Sequence, residues 1–586
     1  MHWISADGAD AMADNDCDAV IIGSGPGGST VADVLTAAGW SVIVLEKGRN
    51  HLISLEPPFD PSGDLSNDEI KFLRRHFLGP DPFLEPRTYR RTAADGDRLF
   101  TGEVNSLPTT VGGGGFHADG KLPRFREEDF HLLSARGPID GATIADWPVQ
   151  YDEMEPHYAI AERLIGTAGD AGKNPFEAWR SGPYPMPPGA DMFGAILTSE
   201  AAAKRGLHPY RAPTGVNSIF YDDRPPCNNC GFCGHFGCPI HAKGDPISSL
   251  RRALRTGKCE VRPESYVKEV VLDRSGQRAT GVRYLDIANG NAEREVRAAY
   301  VVVAGGAFET PRLLLRCGVG NSSDQVGRNL TYHFQTFSVG IFPFSIHGER
   351  GRSVTHHHDV FIVPGPDEMA AARAAGLPWI RGGTVEHGGG GTPLQEAQTY
   401  PPGPQHAISM RDSAIRDRLF AFTLQAEDLP QHGNRVDLDP TVVDAWGFAA
   451  GRVTYAPHKH EIVASDHFAP ILEQVMRDAG ADFAFSTTSP PQGDLDLDLQ
   501  DISPLGVAPA SRHTMGTCRM GDDARTSVVN GEGRFHDVEN MLCADSSVFA
   551  TSSGYNPTLT LVALAHRAAC LLAGVKVEPT TPMDFS

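Results

Sequence analysis

The chain has 586 residues, 40% apolar and 21% charged, which is enough to bury a large core and too apolar for a solvating tail. Its formal charge of −21 repels phosphate backbones and anionic membranes, so nucleic acid is excluded as an expected partner. No run of about 20 apolar residues is present, so no membrane span is predicted.

Residues 1–16 carry four Asp, no Lys or Arg and no apolar core, and read as a leader rather than a secretory signal. The expectation is a cytoplasmic protein with reduced thiols. Ala19 to Ile22 is an apolar run ending in Gly23-Ser24-Gly25-Pro26-Gly27-Gly28, a G-x-G-x-x-G between a strand and a helical segment (Ser29 to Ala38). Gly23 permits the tight turn, Gly25 lets the backbone approach a pyrophosphate, and Gly28 lets helix and strand pack closely. The helix N-terminus offers free N–H groups to the phosphates. Ser41 to Leu45 reads as the next strand. Glu46 at its end is placed to accept ribose hydroxyls, which favours FAD or NAD over NADP.

A polar, Pro-rich stretch covers Arg49 to Arg98, and Gly112 to Gly115 form a glycine cluster. Residues 146–166 read as a turn and an amphipathic helix. Val261 to Leu272 and Arg278 to Asp286 read as a strand pair, and Val301 to Ala304 as a buried strand before a helix at Thr310 to Arg316. From Gly327 to Leu429 the pattern is irregular, with strand-like runs at Phe337 to Phe342 and Val360 to Val363. His333 and the His356–His358 run lie there and are read as surface or lid residues. Three successive His alternate faces on a strand, so they cannot share one ligand. Regular patterning returns at Arg435 to Val442 and 459–482. Near the end come a polar loop, Ser511 to Gly521, a short strand reaching Asp545, and Asn556-Pro557, which reads as N-cap and first residue of a helix. Cofactor-type segments are thus split by other material, as in two interleaved domains.

Together, the fingerprint at 21–46, Val111 to Phe125, Ala304 to Leu315, His513 to Gly521 and Asp545 to Leu559 resemble the glucose–methanol–choline (GMC) oxidoreductases. The resemblance covers most of the chain apart from about 330–430. It implies an α/β fold, with a Rossmann-type FAD-binding domain interleaved with an α+β substrate domain built on an antiparallel sheet. The expected boundaries are 15–50, 95–140, 240–330 and 505–580 for the FAD domain, and 51–94, 141–239 and 331–504 for the substrate domain and lid. The family's loop histidine, which takes the substrate hydroxyl proton, maps to His513, and its second site residue to Asn556. The implied cofactor contacts are Gly23, Gly25, Gly28, Glu46, Gly112, Gly113, His117, Val267, Asp545, Asn556, Pro557 and Thr558. Hydride leaves a carbinol carbon only as the O–H proton is removed, so a base must lie within about 3 Å of that oxygen, a task suited to neutral imidazole. The helix beginning at Pro557 is expected to aim its positive end at the flavin.

The implied activity is oxidation of a small neutral alcohol, sugar or polyol, with oxygen or another acceptor taking the electrons. The sugar-like preference follows likeness to the pyranose oxidase and sugar dehydrogenase branches, including Asn434 to Val436 and Asp444 to Gly447. His117 falls where the sugar-oxidising branch bonds FAD covalently. Covalent attachment, non-covalent contact and a structural role all stay open. Cys227, Cys230, Cys233 and Cys238 form C-x2-C-x2-C-x4-C-P, near a ferredoxin run. Structural thiols, an iron–sulfur cluster and zinc stay open for them. Alternative functions are an iron–sulfur dehydrogenase subunit serving a carrier protein, and a non-redox lyase.

Overall fold

The computed structural model describes residues 15–50, 81–102, 104, 107–231, 233, 238–390, 396–397, 401–413, 415–487 and 511–585. The leader up to residue 14, most of the Pro-rich stretch and the domain boundary at 504–505 lie outside the described residues.

One sheet carries five parallel strands in the order Cys259–Arg262, Val42–Leu45, Cys17–Ile22, Ala292–Val303 and Met541–Cys543. Both faces are covered, so its strands are apolar throughout instead of alternating. Ala19 and Ile21 pack with Leu35, Leu250 and Ala569, from the helices Pro26–Ala37, Pro246–Arg255 and Thr558–Ala573. Val20 and Ile22 turn to the opposite cluster, with Val303, Leu314 and Tyr158. The long strand Ala292–Val303 bends out of this sheet, and its first half pairs antiparallel with Ala279–Asp286, which pairs with Ser265–Leu272. The 261–272 run is therefore two strands and not the single one expected. Pro263 cannot donate to a ladder, and Glu264 takes φ +52°, so the chain leaves the parallel sheet and enters the meander.

The second sheet is antiparallel, with six strands in the order Phe483–Thr487, Phe334–Ile341, Leu419–Ala426, Gly383–His387, His356–His358 and Tyr210–Arg211. One face sends Phe420, Phe422, Leu424 and Val385 against the helix Lys459–Asp478. By strand alternation the other face carries Gln335, Phe337, Thr423, Gln425, Thr384 and Glu386. A third sheet joins Arg435–Val443, Ala449–Thr454, Arg87–Arg90 and Phe100–Gly102.

Two readings of this region are corrected. Val360–Ile362 is a 3-10 turn and not a strand; the turn sends consecutive Phe361 and Ile362 into the core, where Phe361 stacks on Phe468 at 4.4 Å between ring centres. The histidines read as surface or lid are interior: His333, His357 and His358 are fully buried and His356 is half-buried. His358 Nδ1 makes a 2.7 Å contact to His387 Nε2 on the neighbouring strand, inside the sheet. Among the described residues no helix is long and apolar enough to cross a membrane.

Candidate active site

A cavity of 640 Å³ runs from the ends of the parallel strands to the open face of the antiparallel sheet. Gly23, Gly25, Glu46, Gly113, His117, Val267, His513, Asp545, Asn556, Pro557 and Thr558 all line it. Gly28 and Gly112 stand behind the wall.

The glycine loop divides its tasks by available space. A Cβ on Gly25 would meet nothing within 4 Å, so the backbone there opens onto the cavity, as a phosphate cradle requires. A Cβ on Gly28 would lie 2.0 Å from the Gly23 carbonyl oxygen, and one on Gly27 only 1.6 Å from that of Ala544. Gly27, unassigned in the fingerprint reading, is therefore the tightest packing glycine. Glu46 accepts from Ser24 N (3.0 Å), Ser24 Oγ (2.6 Å) and Gly48 N (2.8 Å), while Ser24 Oγ accepts from Gly112 N at 3.0 Å. This ties the fingerprint to the second glycine cluster. Asp545 accepts from Gly306 N (2.8 Å) and Thr310 Oγ1 (2.6 Å) and so anchors another helix N-terminus at the cavity wall. His117 ends the short helix Gly113–His117, and Lys243 holds that turn through the carbonyls of Phe116 and Ala118.

At the sheet end the polypeptide carries His513 in on a loop pinned to residues 329–331. Met515 and Thr331 exchange backbone hydrogen bonds of 2.9 and 3.1 Å. Two residues along in opposite directions, His513 and His333 face each other with Nδ1 atoms 2.8 Å apart. His333 Nε2 contacts the carbonyl oxygens of Ser552 (3.1 Å) and Ser553 (3.0 Å). Burial pushes His333 down to about 4, against these two hydrogen bonds. Burial, with the positive charge of Lys121 and the cost of placing a second positive ring beside His333, holds His513 well below the usual histidine range.

Asn556 does not cap the following helix, contrary to expectation: the helix begins at Thr558, without a side-chain cap. The Asn556 amide nitrogen instead donates to Glu386 Oε1 at 3.0 Å, and its Oδ1 is buried with no hydrogen-bond partner among the described residues. Glu386 Oε2 accepts from Lys121 at 2.6 Å, and Lys121 also pairs with Asp119 at 3.0 Å. Burial alone would lower Lys121, but Glu386 and Asp119 hold it above its ordinary value. Gln335, Phe337, Thr423 and Gln425 complete this wall, with a 2.9 Å hydrogen bond between the two glutamines.

Sequence reasoning missed His333, Glu386, Lys121 and the glutamine pair. Alternation around Phe337 was a usable signal for Gln335, but nothing local marks its strand partner. Cys233 and Cys238 are buried, Cys227 is half-buried and Cys230 exposed. Among the described residues no three His, Cys, Asp or Glu side chains are placed to hold a metal.

Residues 211–335 match one family model and residues 430–565 another, both described as GMC oxidoreductase. The gluconate 2-dehydrogenase flavoprotein of Pantoea cypripedii is 28% identical, over 94% of this chain and 92% of that protein. The paromamine 6'-oxidase of Streptomyces fradiae is also 28% identical, over 96% and 92%. A variant of the formate oxidase of Aspergillus oryzae RIB40, studied for its FAD modification, superposes with TM-score 0.64 at 15% identity, over 95% and 98%, a likeness of fold.

Proposed function

The chain belongs to the GMC oxidoreductases, and from that premise we propose that it uses FAD to oxidise an alcohol group of an uncharged sugar or polyol to a carbonyl. The observation that carries this reading is the placement of His513 and Asn556 on one cavity wall with Gln335, Thr423 and Gln425, beyond the glycine cradle. The open backbone at Gly25 suits a dinucleotide pyrophosphate. Gly23, Glu46, Gly113, His117, Val267, Asp545, Pro557 and Thr558 are the residues that would hold the rest of the cofactor. FAD supplies the hydride acceptor.

The chain's own contribution is proton handling and orientation. His513, neutral because buried, takes the hydroxyl proton. Asn556 directs a carbonyl acceptor at the substrate space, since its nitrogen is committed to Glu386. An acceptor there suits a second hydroxyl beside the one being oxidised, which diols and sugars provide. The helix starting at Thr558 adds its positive end to the same region.

The test is anaerobic mixing of the flavin-loaded chain with a panel of sugars, polyols and simple alcohols, followed by bleaching at the flavin absorption band. Bleaching by polyols that is lost in His513→Gln supports the reading; no bleaching by any alcohol refutes it. Repeating the run with oxygen separates oxidase from dehydrogenase. Acid precipitation decides whether His117 carries the flavin covalently, because a covalent flavin stays with the pellet. Iron analysis decides between thiols and an iron–sulfur cluster at Cys227, Cys230, Cys233 and Cys238.

A further inference from the structure

His333 is fully buried and lies outside every motif that points to the cofactor or the substrate. Its surroundings nevertheless leave it one protonation pattern. Nε2 lies between two carbonyl oxygens, those of Ser552 and Ser553, and carbonyls only accept, so Nε2 carries hydrogen. Ser553 takes φ +58°, unusual for a residue with a Cβ, in the turn that presents this pair of carbonyls. A neutral ring with hydrogen on Nε2 has a lone pair on Nδ1. That atom faces His513 Nδ1 at 2.8 Å, so His513 must donate from Nδ1 and keep its own lone pair on Nε2.

We infer that His333 is a positioning residue that locks His513 in the tautomer able to receive a proton at Nε2. The inference rests on the reading of His513 as the base. It also explains why the two histidines are held opposite each other by the Thr331–Met515 bridge. The orienting group of a serine-protease triad is a carboxylate, which stabilises imidazolium as well as fixing the tautomer. His333 is neutral, so it fixes the tautomer while leaving His513 a weaker base. The charged groups acting on His513 are Lys121, Asp119 and Arg512, and the one acting on His333 is Asp129.

The experiment uses the full chain with histidine labelled with ¹⁵N at both ring positions, with the His513 signals assigned by difference against His513→Gln. In the wild type, both with and without FAD, His513 should show hydrogen on Nδ1; hydrogen on Nε2 overturns the proposal without any variant. His333→Phe should move the hydrogen to Nε2 and slow flavin reduction about 10- to 100-fold at little change in KM, below the ~10⁴-fold loss a wrong tautomer causes in the protease triad. His333→Asn, whose Oδ1 falls near the position of Nδ1, should restore most of both. A Phe variant with wild-type tautomer and rate, or Asn and Phe variants equally slow with the wild-type tautomer, overturns it. If no alcohol bleaches the wild-type flavin, the reading of the activity fails, while the ring signals still decide the role of His333.

Discussion

Asn556 hands its amide nitrogen to Glu386 at 3.0 Å, and this one bond decides which end of the amide is left without a partner among the described residues. Glu386 is tied to Lys121, so it stays an acceptor, and the Asn556 carbonyl must point away from it. A substrate with a hydroxyl next to the reacting one is then favoured. We expect 1,2-propanediol to exceed 1-propanol in kcat/KM by at least about tenfold, the discrimination of roughly one buried hydrogen bond. Glu386→Gln should keep its oxygen on Lys121 and donate from its nitrogen, which turns Asn556 around. The preference for the diol should then shrink or reverse at unchanged flavin content. Steady-state kinetics on the two alcohols checks this.

His513→Gln should lower the rate of flavin reduction by about 10²- to 10⁴-fold, the contribution typical of a positioned base, and leave flavin content intact. In the wild type the depressed pKa of His513 keeps the base available below the ordinary histidine range. The reduction rate should therefore stay level as pH falls through about 6.5, where an unperturbed histidine would already be losing activity. Stopped-flow rates between pH 5 and 8 measure it.

The glycine loop separates binding from folding. Gly25→Ala puts a methyl into the cavity without touching the chain, so the melting temperature of the apoprotein should hold while flavin content falls. Gly27→Ala drives a methyl to 1.6 Å from the Ala544 carbonyl, and both folding and flavin content should suffer. Overpacking of this kind costs about 1–3 kcal/mol or more. Thermal melts with and without FAD distinguish the two.

Stability should peak at mildly acid pH. Burial pushes His157 down to about 3 and His460 and His333 to about 4, so between about 6.5 and 4 the unfolded chain binds protons that the native chain refuses. Stability falls as pH drops through that window. Burial also raises Glu461 to about 8, and raises Asp428, which Glu461 repels. The native chain holds the Glu461 proton after the unfolded chain has released it near ~4.3, so stability falls as pH rises toward 8. Each such proton contributes about 1.4 kcal/mol per pH unit. Glu461→Gln, with Glu427, Asp428, His458 and His460 left around it, should flatten the alkaline limb and steepen the acid limb above about 4.3, where the Glu461 proton opposes the histidine slope, as read from denaturant melts at pH 4 to 8.

Much of the cofactor end was legible because its signals are local. The strand, the glycine turn, the helix and Glu46 follow one another within thirty residues, and each answers a nearby steric or hydrogen-bonding demand. The 261–272 run was misread because periodicity shows that a strand exists and not which sheet it joins; Pro263 marked the break. Asn556-Pro557 looked like a cap because cap chemistry and site chemistry use the same side chain, and only the arrival of Glu386 decides between them.

By itself, then, the sequence carried the dinucleotide turn, the family's motifs and the stretches that bring His513 and Asn556 to the cavity, since each is a contiguous stretch whose backbone geometry its own residues dictate. Only the tertiary structure decided what those two residues present to a substrate. His333 lies 180 residues from His513, and Glu386 lies 170 from Asn556. Such pairs form when distant strands bury one sheet face on a helix, and the register that buries Phe422 and Leu424 necessarily turns Glu386 and Gln425 to the other side. No local pattern encodes that meeting.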